Sequence, residues 1–180
     1  MENPWKTNSV EVMYDNDWIT VEEHKVINPS GNAGIYGKVC FKNKAVGIIP
    51  LDDKGYTWLV GQFRYTLDDY SWEIPMGGCP QGENMINAAT RELKEETGLT
   101  ALKMTQVMTI HTSNSVTDEH GLVYLAEDLT QGETQFDETE DITIKYLPFS
   151  EAVNMVIDEQ ITDAISCAAI LKVAYMNIIK

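Results

Sequence analysis

The sequence WEIPMGGCPQGENMINAATRELKEETGL, from Trp72 to Leu99, joins a loop rich in glycine and proline to a segment that predicts a helix. From about Asn84 to Thr97 there is no Pro or Gly, and good helix formers such as Ala, Arg, Glu, Leu and Lys predominate. The segment stops at Gly98, a residue suited to the left-handed conformation that ends many helices. We therefore predict a helix that ends at Gly98.

Three carboxylates fall close together on this predicted helix. At about 100° per residue, Glu92, Glu95 and Glu96 span an arc of about 100°. They lie beside the stripe that we predict to face the core, which consists of Ile86, Ala89, Thr90 and Leu93. One interpretation is a solvated acidic face relieved by ion pairs with Arg91 and Lys94. The other is a site where the carboxylates share a cation.

The loop before the helix favours the cation site. Gly77 and Gly78 stand between Pro75 and Pro80, and Gly82 follows, so the loop is stiff and still lets the backbone approach a ligand closely. Its carbonyl oxygens can join the carboxylates around a hard cation, and oxygen ligands with several waters suit Mg²⁺ or Mn²⁺. Two such ions would neutralise a pyrophosphate, polarise its phosphorus and lower the pKa of a bound water.

Composition and charge limit the functions open to the chain. Its 180 residues, 43% of them hydrophobic, predict one domain or a domain with a small extension. The net charge of −15 would repel nucleic acid and anionic lipid, so we expect neither as a partner. We find no secretory signal and no run of about 18 to 20 apolar residues, and we expect a cytoplasmic location. The three cysteines lack CxxC spacing, which argues against a disulfide framework.

The order of elements along the chain predicts an α+β fold with mixed β-sheets between helices. Strand-like segments, by alternation and β propensity, are 9–14, 18–27, 45–52, 56–65, 102–111, 121–127 and 142–149. The sequence LDDKG, residues 51–55, predicts a hairpin turn. Two helices close the chain, and we predict Ser150 and Thr162 as their N-caps.

The N-terminal segment 1–45 is predicted as an antiparallel β extension. It is too short to bury a core of its own, so it must pack against the rest of the chain or against a partner subunit. We therefore divide the chain into this extension, with a role in dimerisation, and a second region, 46–180, that carries the acidic helix.

The acidic segment resembles a known motif. Gly77, five residues, Glu83, seven residues and then RELKEETGL, Arg91 to Leu99, are similar to the Nudix box at every specified position. The resemblance implies the Nudix fold, a mixed β-sheet sandwiched between helices. It also implies metal-dependent hydrolysis of a nucleoside diphosphate linked to another moiety.

The resemblance also implies roles for individual residues. Glu92 and Glu96 would be the main metal ligands, with Glu95 as a ligand or helper. Met76 would bind metal through its backbone carbonyl. Glu83 and Arg91 would form a buried pair that joins the loop to the helix.

Other segments resemble the ADP-ribose pyrophosphatase-like branch of nucleoside diphosphate sugar hydrolases. These segments are GQFRY, WEIP, the β extension and DETEDI. The resemblance implies a homodimer that exchanges its N-terminal strands, Arg64 as a contact to substrate phosphates, and Glu119 near the terminal sugar. From the residues themselves, Trp5 and Trp18 of the extension can stack on a nucleobase. The branch often has Ser-Pro-Gly where this chain has Ser-Asn-Ser, 113–115, so the choice between ADP-ribose and related nucleotide sugars stays open.

A catalytic base is expected in the acidic sequence QFDETEDI, residues 135–142. An acidic loop before a strand is the ordinary interpretation of such a sequence. The resemblance implies a base at Glu138 or Glu140, and we favour Glu140 because it lies nearer the predicted strand, which can aim it.

Two functions remain for the whole chain. The first is hydrolysis of a nucleoside diphosphate sugar, such as ADP-ribose, to a nucleoside monophosphate and a sugar phosphate. The alternative is a non-catalytic Nudix-fold module that senses a nucleotide. Such a module would be expected to lose residues of the box, whereas every carboxylate is present here, so we favour the enzyme.

Overall fold

The computed structural model describes residues 1–134 and 141–178, with side chains described as far as residue 176. Within these ranges the strands are β1 Lys6–Asp15, β2 Ile19–Ile27, β3 Ala33–Phe41, β4 Lys44–Pro50, β5 Tyr56–Arg64, β6 Asp69–Glu73, β7 Met76–Cys79, β8 Leu99–Ile110, β9 Gly121–Gln131 and β10 Thr143–Pro148. The helices are α1 Met85–Thr97, α2 Phe149–Ile157 and α3 Ala164–Ile178. The predicted α+β class is confirmed.

A mixed sheet lies at the centre of the molecule. Its strand order is β7-β4-β9-β8, with β4 parallel to β9 and the other neighbours antiparallel. Strand β4 is buried on both faces: Val46 and Ile48 pack in the cluster under α1, and Ile49 packs in the cluster under α2 and α3. The sheet is therefore sandwiched between helices, as predicted. A second antiparallel sheet, β10-β5-β6, closes the larger core cluster.

Helix α1 begins and ends where the sequence predicts. The side chain of Asn84 caps its first turn by accepting the N–H of Ile86, and Gly98 ends it with φ 73°. The predicted core stripe is partly wrong, because Ile86 and Thr90 are exposed whereas Glu96 is buried. The reason is that β7 packs against the Glu96 side of the helix and turns that side inward.

Four local predictions need correction. Part of the loop predicted before α1 is strand β7, Met76–Cys79, because its backbone pairs with β4. The turn at 52–55 forms, but β4 and β5 belong to different sheets and share one isolated bridge, Leu51 with Thr57, so they form no hairpin. Helix α2 follows β10 without a loop, so Pro148 rather than Ser150 is its N-cap, with no side-chain hydrogen bond. At α3, Asp163 rather than Thr162 accepts a backbone N–H of the first turn, that of Ser166, at 2.7 Å.

Helix α3 is a core element. Ile165, Ala169, Ile170 and Val173 are buried in the cluster that it shares with α2 and the central sheet. No helix within the described ranges has the length and apolar character needed to cross a bilayer.

The N-terminal strands form a separate antiparallel sheet, β1-β2-β3. Every residue of β1 is exposed, and Val26 is the one buried residue in the three strands, which are described throughout. Strand β3 connects this sheet to the rest of the chain, because the N–H of Val39 donates to Val116 O at 2.9 Å and Asp118 accepts the N–H of Phe41. The extension therefore has little core of its own.

Gly98→Ala is expected to destabilise the fold more than Gly55→Ala. Both glycines have positive φ, 73° and 79°, so each substitution should cost about 1 kcal/mol in backbone strain. A Cβ at Gly98 would also lie 2.6 Å from Gly132 O, whereas a Cβ at Gly55 meets nothing within 4 Å. Urea unfolding should show a loss of roughly 2 to 4 kcal/mol for Gly98→Ala. Equal losses of unfolding free energy in the two variants would contradict the close approach of Gly132 O to Gly98.

Candidate metal and phosphate site

The carboxylate of Glu96 is buried against strand β7. Glu96 is 2% exposed, and its Oε2 accepts the backbone N–H of Met76 at 2.9 Å. A backbone N–H offers a charged carboxylate a strong hydrogen bond, which compensates part of the cost of burying it. This contact ties the C-terminal half of α1 to the first residue of β7.

Glu92 occupies the space beside Gly77. A Cβ built on Gly77 would lie 2.1 Å from Glu92 Cδ and 2.3 Å from each carboxylate oxygen, so the carboxylate rests directly on the glycine backbone. Only glycine allows this approach. The backbone of Met76 and Gly77 and the carboxylates of Glu92 and Glu96 therefore converge at one place.

Arg91 links this acidic group to the loop. Its Nη1 donates to Glu92 at 2.8 Å and to Glu95 at 2.9 Å, while Nη2 donates to Gly78 O at 3.0 Å and to Glu83 at 3.3 Å. Burial by itself would lower the pKa of Arg91, but hydrogen bonds with Glu83 and its acidic neighbours outweigh burial and raise it. The predicted pair of Glu83 and Arg91 forms, but with side chains 27% and 38% exposed it is half-exposed rather than buried.

The oxygen atoms of Glu92, Glu96 and the backbone beside them suit a hard divalent cation that keeps part of its water shell. Across residues 1–134 and 141–178, no three His, Cys, Asp or Glu side chains are arranged to hold a metal ion by themselves. Two carboxylates beside a backbone segment supply only oxygen donors, and Mg²⁺ commonly completes such a set with waters and substrate phosphates. The Glu92 carboxylate occupies the space that a Cβ at Gly77 would fill, and this close packing against the backbone is consistent with such a site.

A cleft of about 470 Å³ opens beside Met76 and Gly77. It brings together the three residues predicted to bind substrate, Arg64, Glu119 and Trp18. These residues come from the end of β5, the segment before β9 and the turn between β1 and β2. The cleft therefore joins the β extension, the second sheet and the Nudix-like segment at one site.

Hydrogen bonds orient two of the three predicted substrate residues. The carboxylate of Glu119 accepts a hydrogen bond from the hydroxyl of Thr112, and the guanidinium of Arg64 forms a two-point ion pair with Glu73. Trp18 is 69% exposed, so one surface of its ring is available for stacking.

The sequence reasoning missed several residues of the site. Glu73 and Thr112 hold other side chains, and Lys44 and Asp163 line the cleft. One signal was available for Glu73, because a single charge inside the otherwise apolar sequence WEIP indicates a buried partner. The partner, Arg64, is not the cross-strand neighbour of Glu73, so a local pattern does not reveal it.

The predicted catalytic bases cannot be compared with the cleft. Glu138 and Glu140 lie outside the described residues, so both assignments stay predictions. The described chain resumes at Asp141, and Thr143 pairs with Gly61 of β5.

Gly77→Ala is expected to weaken Mn²⁺ binding by about 10- to 100-fold, because the new Cβ would push Glu92 away from the backbone. Stability should change little, since the displaced atoms are the end of a flexible side chain. Gly78→Ala is the matched control, because its Cβ would meet the side chain of Asn43 at 3.2 Å and no carboxylate. Mn²⁺ titration followed by electron paramagnetic resonance measures both affinities. Equal Mn²⁺ affinities in the two variants would contradict a role for the close contact between Glu92 and Gly77 in metal binding.

Comparison with known proteins agrees with the geometry. Residues 41–165 match the NUDIX domain, and residues 5–39 match the nucleoside diphosphate sugar hydrolase N-terminal domain. The chain is 32% identical over 167 residues to an ADP-ribose pyrophosphatase from Bacillus subtilis, covering 92% of this chain and 90% of that protein. It is 31% identical over 176 residues to an ADP-ribose pyrophosphatase from Mycobacterium tuberculosis, covering 96% and 84%.

A solved structure supports the fold. The crystal structure of an ADP compounds hydrolase superimposes with a TM-score of 0.86, covering 96% of this chain and 93% of that chain at 23% identity. The resemblance seen in the sequence and the predicted Nudix fold are both confirmed. The chain belongs to the Nudix family and is a Nudix pyrophosphohydrolase.

Proposed function

We propose that this protein hydrolyses the pyrophosphate bond of a nucleoside diphosphate sugar, ADP-ribose or a close relative, with Mg²⁺ or Mn²⁺. The observation that carries the proposal is the convergence of Glu92 and Glu96 on the backbone of Met76 and Gly77, at the edge of a cleft that contains Arg64. Two relatives named as ADP-ribose pyrophosphatases support ADP-ribose as the first substrate to test.

The carboxylates of Glu92 and Glu96 and the carbonyl of Met76 would hold the cation, with the partly exposed Glu95 as a further ligand or helper. Bound there, Mg²⁺ would neutralise charge on the pyrophosphate, polarise its phosphorus and lower the pKa of a bound water.

Side chains of the cleft would hold the two ends of the substrate. Arg64 would donate hydrogen bonds to phosphate oxygens, and Glu119, oriented by Thr112, would accept a hydrogen bond from a hydroxyl of the terminal sugar. Trp18 would stack on the nucleobase. This arrangement suits a nucleotide sugar, which has an aromatic base at one end and hydroxyls at the other.

In the reaction, a water attacks one phosphorus atom, and Glu140 would take its proton as general base. The bridging P–O bond breaks, which yields a nucleoside monophosphate and a sugar phosphate. A module that only senses nucleotides would bind the same substrates without forming these products.

A hydrolysis panel tests the proposal. ADP-ribose, ADP-glucose, UDP-glucose, GDP-mannose and a flavin dinucleotide are incubated with Mg²⁺, and the products are separated by anion-exchange chromatography. We expect a nucleoside monophosphate and a sugar phosphate from at least one nucleotide sugar. Binding of these compounds without product would support the sensing module and overturn the proposal.

Glu96→Gln is expected to reduce turnover on the order of 10³-fold, because the transition-state charge loses its metal-based stabilisation. The variant should fold, since Gln has nearly the same shape and its amide oxygen can still accept the N–H of Met76. Glu151→Gln, at an exposed position of α2, is the control and should retain full activity. Turnover of Glu96→Gln within tenfold of the wild type would refute the ligand assignment.

Glu140→Gln is expected to lower kcat by roughly 10²-fold while Mg²⁺ and substrate affinities stay within a few-fold. A base that only takes a proton from water can be neutralised without emptying the metal site. Glu138→Gln is the matched comparison and should have the smaller effect. A larger effect at Glu138 would move the base to that residue, and no effect at either would exclude both.

We also propose that the protein is a homodimer in which residues 1–45 form the interface and 46–180 form the hydrolase domain. The exposed apolar side chains of the β extension outside the cleft support this, and they include Val10, Val12, Met13, Tyr14 and Ile35. Val12→Lys should give monomers in light scattering at micromolar concentration. Leu102→Lys is the control, since Leu102 is exposed on β8, and that variant should stay dimeric. A wild-type monomer would contradict the proposal.

A further inference from the structure

Glu73 is a buried carboxylate that contacts the proposed phosphate-binding arginine. It ends strand β6, opposite Val60 of β5, and is 3% exposed. Its Oε1 accepts the Nε–H of Arg64 at 2.8 Å, and its Oε2 accepts an N–H of Nη2. Two parallel hydrogen bonds of this kind fix both the position and the plane of a guanidinium.

The exposure of the two partners is very different. The side chain of Glu73 is 4% exposed, whereas that of Arg64 is 36% exposed. Glu73 takes the Nε and Nη2 edge of the guanidinium, and no hydrogen bond of Nη1 is described within residues 1–134 and 141–178, while Arg64 lines the cleft. A buried carboxylate is costly to desolvate and gains little net stability from such a pair. Its position is therefore better explained by orientation of Arg64 than by stability.

Arg64 also lies within the electrostatic influence of other carboxylates of the site. Its pKa is raised, chiefly by the hydrogen bonds with Glu73, with smaller contributions from Asp163 and Glu96. Asp163 lines the same cleft, and Glu96 is a proposed metal ligand. Without Glu73, the guanidinium would be free to pair with Asp163 of the same cleft instead of with a substrate phosphate.

We propose that Glu73 is the positioning residue for Arg64, and that it holds the guanidinium so that its Nη1 edge binds the pyrophosphate of the substrate. This inference rests on the proposed function, because it assumes that Arg64 contacts substrate phosphates. Glu73 touches neither substrate nor metal in this account and acts only through Arg64.

A double-mutant cycle tests the inference. Wild type, Arg64→Gln, Glu73→Gln and the double variant are compared by kcat and KM for ADP-ribose with Mg²⁺, and by the Kd of α,β-methylene ADP-ribose in calorimetry. Glu127→Gln is the control, because it breaks an ion pair with Lys103 on strands β8 and β9, outside the cleft. Thermal unfolding of each variant separates lost stability from lost binding.

We expect Arg64→Gln and Glu73→Gln each to raise Kd and KM by about 10-fold or more, with kcat much less affected. The double variant should match Arg64→Gln within about twofold, since Glu73 has nothing to position once Arg64 is gone. Glu73→Asp keeps the charge and should recover part of the lost affinity. It also serves as the test variant if Glu73→Gln does not fold.

Two results would overturn the inference while leaving Arg64 in its proposed role. These are additive effects in the double variant, or wild-type affinity in a folded Glu73→Gln. A different result, wild-type affinity in Arg64→Gln, would remove Arg64 from the proposed function and the inference with it.

Discussion

The contact between helix α1 and the backbone of β7 is the constraint on which the site depends. Glu96 accepts the N–H of Met76, and Glu92 lies where a side chain at Gly77 would be. Both contacts require the helix to approach the strand closely and with one particular face. The stiff loop before α1 and the left-handed end at Gly98 set the limits of that helix, so loop, helix and strand together place two carboxylates at one point.

The site concentrates negative charge in a protein whose net charge is already −15, and two arginines relieve it in different ways. Arg91 lies inside the acidic segment, bound to Glu83, Glu92 and Glu95, and joins the loop to the helix. Arg64 comes from the second sheet and faces the cleft, where an anionic substrate would meet it.

Local sequence patterns predicted the helices and strands that are determined by interactions between residues close in sequence. Helix α1, its end at Gly98 and the seven predicted strand segments follow from propensity, turn residues and alternation, and the structure confirms them. Strands β3, β6 and β7 were not predicted, and β7 lies in the segment predicted as a loop. The sequence did not reveal that Glu96 is buried, because the rotation of α1 depends on packing against β7, whose partner strand β4 is distant in sequence. The pairing of Glu73 with Arg64 was missed for a different reason, since Arg64 lies opposite Asp69 and Glu73 lies opposite Val60, so the two are not cross-strand neighbours.

Diffraction from crystals soaked in Mn²⁺, recorded at the manganese absorption edge, tests the central claim most directly. We predict at least one anomalous peak in contact with the carboxylates of Glu92 and Glu96 and the backbone carbonyl of Met76. In crystals of Gly77→Ala, that peak should weaken or vanish. A fully occupied Mn²⁺ site elsewhere in the molecule, with none at these three residues, would contradict the account.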